Sequence, residues 1–144
     1  MQVQPILTFG GRCEEALKFY TQAVGSEVTT MMRWQDSPDP EMCFAAREIP
    51  GKIMHAAFRI GETTLMATDG LEILRQPDFK GITLAIEAKS DADVRRLFAA
   101  LSDGGKVQMP LAKTFWTSLS GMLVDRFGLS WMVNVAKDAV GEKQ

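Results

Sequence analysis

Apolar and polar positions along this chain follow two periods, and the order of those periods repeats. Residues 3–9 form a short apolar, β-prone run ended by Gly10-Gly11, and over residues 12–24 Ala16, Phe19, Tyr20 and Ala23 recur at helical spacing. This reads as strand, turn, helix. Gly25 stands where a helix-closing glycine belongs, and residues 27–34 return as a strand rich in Val, Thr and Met. The same order restarts with a strand over residues 82–88. A helix over 90–101, opened by the Ser90/Asp93 capping box, then leads through Gly104-Gly105 to a strand over 106–111. Each half adds two more strands, 55–60 and 63–68 in the first, 118–124 and 129–135 in the second. The pattern predicts βαβββ twice, an internal duplication.

The run TFWTSLSGMLVDRFGLSWMVN (residues 114–134) is the most specific part of this pattern. Asp125-Arg126-Phe127-Gly128 has Asp at the first turn position, where its carboxylate accepts from the backbone two residues on, and Gly at the fourth. Two strands should pair across it. Residues 35–41 (QDSPDPE) read as a loop, since Pro38 and Pro40 forbid a central strand. Residues 69–80 read as a polar connector between a first module, 1–77, and a second, 78–138. The last residues, 139–144, read as a frayed tail of a single domain spanning 1–144.

Composition narrows the function classes. A chain of 144 residues, 46% hydrophobic and 24% charged with a formal net charge of −2, fits one soluble unit and invites neither nucleic acid nor an anionic membrane. No segment approaches a membrane span or a secretory leader, so a cytoplasmic location is expected. Cys13 and Cys43 lack the spacing of a zinc site or a disulfide framework and read as reduced thiols.

Five segments carry a family resemblance: CEEALKFY (13–20), GKIMHAAFRIG (51–61), TLMATD (64–69), MPLAKTFW (109–116) and DRFGLSWMVN (125–134). In this order they resemble the PhnB-like group of the vicinal oxygen chelate superfamily, which includes glyoxalase I, extradiol dioxygenases and the fosfomycin and bleomycin resistance proteins. The resemblance implies an α+β fold in which two βαβββ modules form a cupped mixed sheet with helices on the outer face. It also implies a homodimer. Metal-using members take His, Gln or Glu ligands from the first and last strands of each module. That pattern projects here onto Pro5, Met66, Gly81 and Met132, none a ligand for a hard or borderline divalent ion. No metal or other cofactor is therefore expected, and metal-dependent glyoxalase or dioxygenase activity is not expected either. The group's link to ubiquinone methyltransferases meets a similar objection, since no GxGxxG loop is present.

Within the strand around His55, alternation places His55, Ala57 and Arg59 on one face and Met54, Ala56, Phe58 and Ile60 on the other. His55, the only histidine, is the candidate general acid or base. Glu87 shares a face with Thr83 and Ala85 and is placed to bind a ligand or to pair with Arg59. Trp34, Trp116, Trp131, Phe115 and Phe127 offer either an aromatic wall or core packing, with core packing expected for Trp131. The candidate ligand pocket is thus His55, Arg59, Met66, Glu87, Phe115, Trp116 and Met132. Cys13 lies in a first helical turn beside Glu14 and Glu15, which oppose thiolate formation. Three readings follow: a metal-independent small-molecule-binding module, a superfamily enzyme on a small oxygenated substrate with His55 as base, or a homodimeric assembly protein with no small ligand.

Overall fold

The computed structural model describes residues 1–38, 49, 51–70 and 78–136. The chain divides into two compact units, Met1–Pro77 and Asp78–Gln144. The first contains β1 (Ile6–Thr8), α1 (Cys13–Val24), β2 (Glu27–Arg33), β3 (Ile53–Ile60) and β4 (Thr63–Thr68). The second contains β5 (Thr83–Ala88), α2 (Asp91–Ser102), β6 (Lys106–Ala112), β7 (Ser120–Val124) and β8 (Ser130–Val135). Strand order is β1-β4-β3-β2 in one sheet and β5-β8-β7-β6 in the other. In both, the first strand lies parallel to the last while the remaining neighbours are antiparallel, so each unit is a mixed βαβββ sheet. Cys43 and the tail from residue 137 lie outside the described residues.

The first core forms where α1 meets the sheet. Ala16, Leu17, Phe19, Tyr20 and Ala23 are buried on α1 and face Leu7, Phe9, Ala56, Phe58, Leu65 and Ala67. Tyr20 stacks on Phe58 with ring centroids 6.2 Å apart and planes 7° from parallel. Gly25 ends the helix, and the Gly25 and Ser26 N–H groups donate to the Thr21 and Tyr20 carbonyls. Arg33, at the end of β2, donates to Glu14 of α1 at 2.7 Å and to the Gly51 carbonyl. Its hydrogen bond holds the Glu14 carboxyl below the usual glutamate range. Any stabilisation from that pair is present above the ordinary carboxylate pKa and is lost as pH falls through the lowered value.

Asp69 organises the rest of this unit. It is 1% exposed, and its Oδ1 accepts from the Gly11 and Cys13 N–H groups while Oδ2 accepts from the Ile53 N–H, all at 2.8 Å. The side chain therefore binds the entry to α1 and the start of β3 to the end of β4. Its carboxylate is closed off from solvent. Trp34 departs from the expected strand and begins a short 3₁₀ turn, Trp34–Asp36, where it is buried.

In the second unit Ser90 caps α2 by accepting from the Asp93 N–H, as its spacing predicts. Val94, Leu97, Phe98 and Leu101 of α2 are buried with Leu123, Trp131 and Val133 of the sheet. A Cβ at Gly121 would stand 2.7 Å from the Phe98 ring and 2.9 Å from Leu111, so glycine lets α2 close on β7. The β7–β8 hairpin turns as its sequence requires: Asp125 Oδ1 accepts from Phe127 and Leu129 N–H, and Gly128, at φ +88°, returns its N–H to the Asp125 carbonyl. Asp125 Oδ2 accepts from the Trp131 indole at 2.8 Å, which satisfies the ring within the core.

Replacing Asp69 by Ala strands three backbone donors, so it should cost about 3 kcal/mol or more in urea unfolding, comparable to the roughly 3–5 kcal/mol of Trp131→Ala. Glu62→Ala, at an exposed position, should change stability by less than about 0.5 kcal/mol. A small loss at Asp69 would refute its anchoring role.

Candidate functional site

In each unit the sheet face away from the helix is the candidate site. On the first sheet it carries Glu27, Thr30 and Met32 of β2, His55, Ala57 and Arg59 of β3, Thr64, Met66 and Thr68 of β4, and Ile6 of β1, by register and alternation. His55 stands opposite Met32 and is exposed, and no hydrogen bond to its ring forms among the described residues. Arg59 donates to Glu27 at 2.8 Å across the same pair of strands. Met66 lies between Ile6 and Ala57.

The second sheet presents three rows. Met132 is opposite Ala85 on one side and Met122 on the other, and Met122 is opposite Met109, so three thioethers lie side by side across β8, β7 and β6. Directly opposed side chains of this kind have Cβ atoms about 5 Å apart. Above them, Glu87 pairs in register with Asn134 and Asn134 with Ser120. Ser120 donates to Asn134 Oδ1 in a short contact, and Asn134 Nδ2 donates to the Met132 sulfur at 3.3 Å. Below them lie Thr83, Ser130, Val124 and Lys106. Glu87 is thus the one acidic side chain that these strands place on this face.

Phe115 and Trp116 lie on the connection between β6 and β7. This connection leaves at the end of the sheet where Ala112 pairs with Ser120, the end that also holds Asn134 and Glu87. Thr114 and Thr117 close it by mutual hydrogen bonds, and the buried Thr117 hydroxyl donates to the Val135 carbonyl at 2.9 Å. Ser118 is tied to Asp91 at 2.9 Å. On this anchored turn Phe115 is 96% and Trp116 45% exposed, the rings edge to face at 4.7 Å. Trp34, Phe127 and Trp131 are instead buried, so the aromatic surface is these two rings and not a five-membered wall.

The sequence matches a known family. The sequence profile of the family described as 3-demethylubiquinone-9 3-methyltransferase matches residues 1–134. The chain belongs to that family. A PhnB protein from Bacillus cereus, described as a putative 3-demethylubiquinone-9 3-methyltransferase, is 25% identical with a TM-score of 0.76, the match covering 94% of this chain and 100% of that one. A solved structure from Pseudomonas aeruginosa is 41% identical with a TM-score of 0.81, covering 94% of this chain and 97% of the other. Protein YjdN of Escherichia coli strain K12 is 29% identical over 143 residues, 95% of this chain and 97% of YjdN. The fold is shared with the fosfomycin resistance protein FosX of Mesorhizobium loti, at TM-score 0.65 and 10% identity over 100% and 98% of the two chains. A glyoxalase-related enzyme of Fulvimarina pelagi has it too, at 0.56 and 17% over 94% and 89%. This is a PhnB-like chain with the vicinal oxygen chelate fold.

The divalent ion implied by the resemblance to metal-using chains of this fold does not fit the donors present here. Pro5 precedes β1, where its carbonyl accepts from the Met66 N–H, and Gly81 precedes β5. The residues actually in register with Met66 and Met132 are Ile6 and Ala85. Two thioethers, an isoleucine and an alanine supply no hard or borderline donor. Among the described residues, no three His, Cys, Asp or Glu side chains gather at one point.

Sequence reasoning picked out Met132 and Glu87 but missed Met109, Met122, Ser120 and Asn134. The signal was present: once the Asp125 turn sets the hairpin register, Met122 must face Met132. Cys13 is fully buried at the start of α1, and burial first, then the Asp69 and Glu14 charges, push its thiol pKa up. With Cys43 replaced by serine, the native protein at about pH 8 should react with a disulfide reagent at least roughly a hundredfold more slowly than the unfolded chain. Rapid native labelling would contradict the buried, protonated thiol.

Proposed function

We propose that this PhnB-like chain is a small-molecule-binding module that works without a divalent metal ion and holds an amphipathic ligand on the open, methionine-bearing faces of its sheets. The observation that carries the reading is the row Met109, Met122 and Met132, bordered by Ser120, Asn134 and Glu87. Small-molecule sites are mostly apolar with a few placed polar groups, and methionine adapts its shape to irregular apolar partners. Met66 and Met132 support the same reading, because they occupy central strand positions where metal-using members of the superfamily keep ligands.

Methyl transfer, which the family description names, is not part of this proposal. Its common cofactor site needs a glycine-rich loop opening from a doubly wound parallel sheet. Here the sheets are mixed and four-stranded, and Gly10-Gly11 and Gly104-Gly105 lie in short connections. Neither is His55 proposed as a base, since no described group orients its ring.

In the presence of excess chelator, native protein should bind an uncharged naphthyl amphiphile, and Met122→Asp should weaken binding at least about tenfold while shifting stability by roughly 1 kcal/mol. Binding that requires added zinc, nickel or manganese would defeat the proposal.

The protein is further proposed to be a homodimer. β2 and β6 are edge strands of their sheets, and they expose Val28, Met31, Met32, Val107 and Met109. Unpaired edges carrying apolar side chains call for cover. Light scattering at micromolar concentration should give twice 15.9 kDa; a monomer would rule the dimer out.

A further inference from the structure

Resting on the binding-module reading, we infer that the ligand of the second sheet is an organic cation: a protonated or quaternary amine attached to an apolar, preferably aromatic, body. Three features at one end of this sheet point to a positive charge. The first is Glu87, exposed at the end of β5, with no ion-pair partner among the described residues. A surface carboxylate in this position is ordinary, but it is the only acid that the described strands place on this face, whose other charged side chain, Lys106, lies at the opposite end.

The second is the pair Phe115 and Trp116. Large aromatic rings left in water need a reason, and a ring face attracts a cation. The turn does not place them there by looseness. Thr114, Thr117 and Ser118 fix it to itself, to Val135 and to Asp91, so the rings are held out at a constructed position.

The third is that no cation among the described residues is ion-paired to Glu87. Asn134 accepts from the Ser120 hydroxyl and turns one of its two Nδ2 hydrogens to the Met132 sulfur, leaving acceptor lone pairs on Ser120 Oγ and Asn134 Oδ1 in the row that Glu87 shares. Lys106, the cation of this face, pairs with Val124 at the opposite end of the strands. Neither Lys89 nor Lys113 forms an ion pair with Glu87. The ammonium group would sit among Glu87, Ser120 and Asn134 with the aromatic turn beside it, and the apolar body would lie along Met132, Met122 and Met109.

The test uses three probes with one body: naphthylmethylamine, naphthylmethanol and naphthoate, titrated into the intact protein by calorimetry at neutral pH and low salt. The amine should bind roughly tenfold more tightly than the alcohol, and the carboxylate most weakly, because an exposed ion pair and a cation–π contact together give about that factor. Glu87→Gln should erase most of the amine's advantage over the alcohol, and Trp116→Ala should reduce what remains. Equal affinity for amine and alcohol, or an amine preference that survives Glu87→Gln, would overturn the cation assignment and leave the binding module standing. Failure of all three probes to bind would overturn the binding-module reading and the cation with it. Unchanged melting of the Glu87→Gln protein checks that the loss is local.

Discussion

One helix can cover only one face of a four-stranded sheet. That constraint governs each βαβββ unit here, because α1 and α2 each bury one face and leave the other to whatever the sequence puts there. Side chains alternate between the faces with period 2, so the choice is made residue by residue along every strand. In β8 it gives Trp131, Val133 and Val135 to the core and Ser130, Met132 and Asn134 to the open face. In β3 it gives Ala56 and Phe58 to the core and His55 and Arg59 to the open face. The candidate site is the part of the sheet that the fold does not use.

Two buried carboxylates hold this arrangement in register. Asp69 ties the end of β4 to the entry of α1 and the start of β3, and Asp125 shapes the β7–β8 turn and satisfies the Trp131 indole. Both accept from backbone or ring N–H groups that would otherwise be buried without a partner. Without Asp125 the hairpin could pair in another register, and a one-residue slip would turn Met132 into the core and Trp131 into water.

Much of this was legible in the sequence because the decisive signals are local. The Ser90 cap, Gly25, the Asp125 turn and the alternation in the hairpin each act over five residues or fewer, and each predicts the element found. Asp69 was not legible, since its partners Ile53, Gly11 and Cys13 lie 16, 58 and 56 residues away. Arg33 and Glu14, 19 residues apart, were hidden for the same reason. The aromatic residues failed differently. Composition treats Trp34 and Trp116 alike, and only the fold separates a buried ring after β2 from an exposed one on the β6–β7 turn. The methionine row was half legible: Met132 was singled out, while Met109 and Met122 needed the pairing of three strands to become its neighbours.

The central claim is that the open methionine face, and no metal centre, receives the ligand. NMR of protein with isotope-labelled methionine methyl groups, titrated with naphthylmethanol under excess chelator, tests it most directly. The account predicts saturable shifts at Met122 and Met132, with Met1 and Met54 unmoved. Saturable binding that leaves Met122 and Met132 unshifted would contradict it.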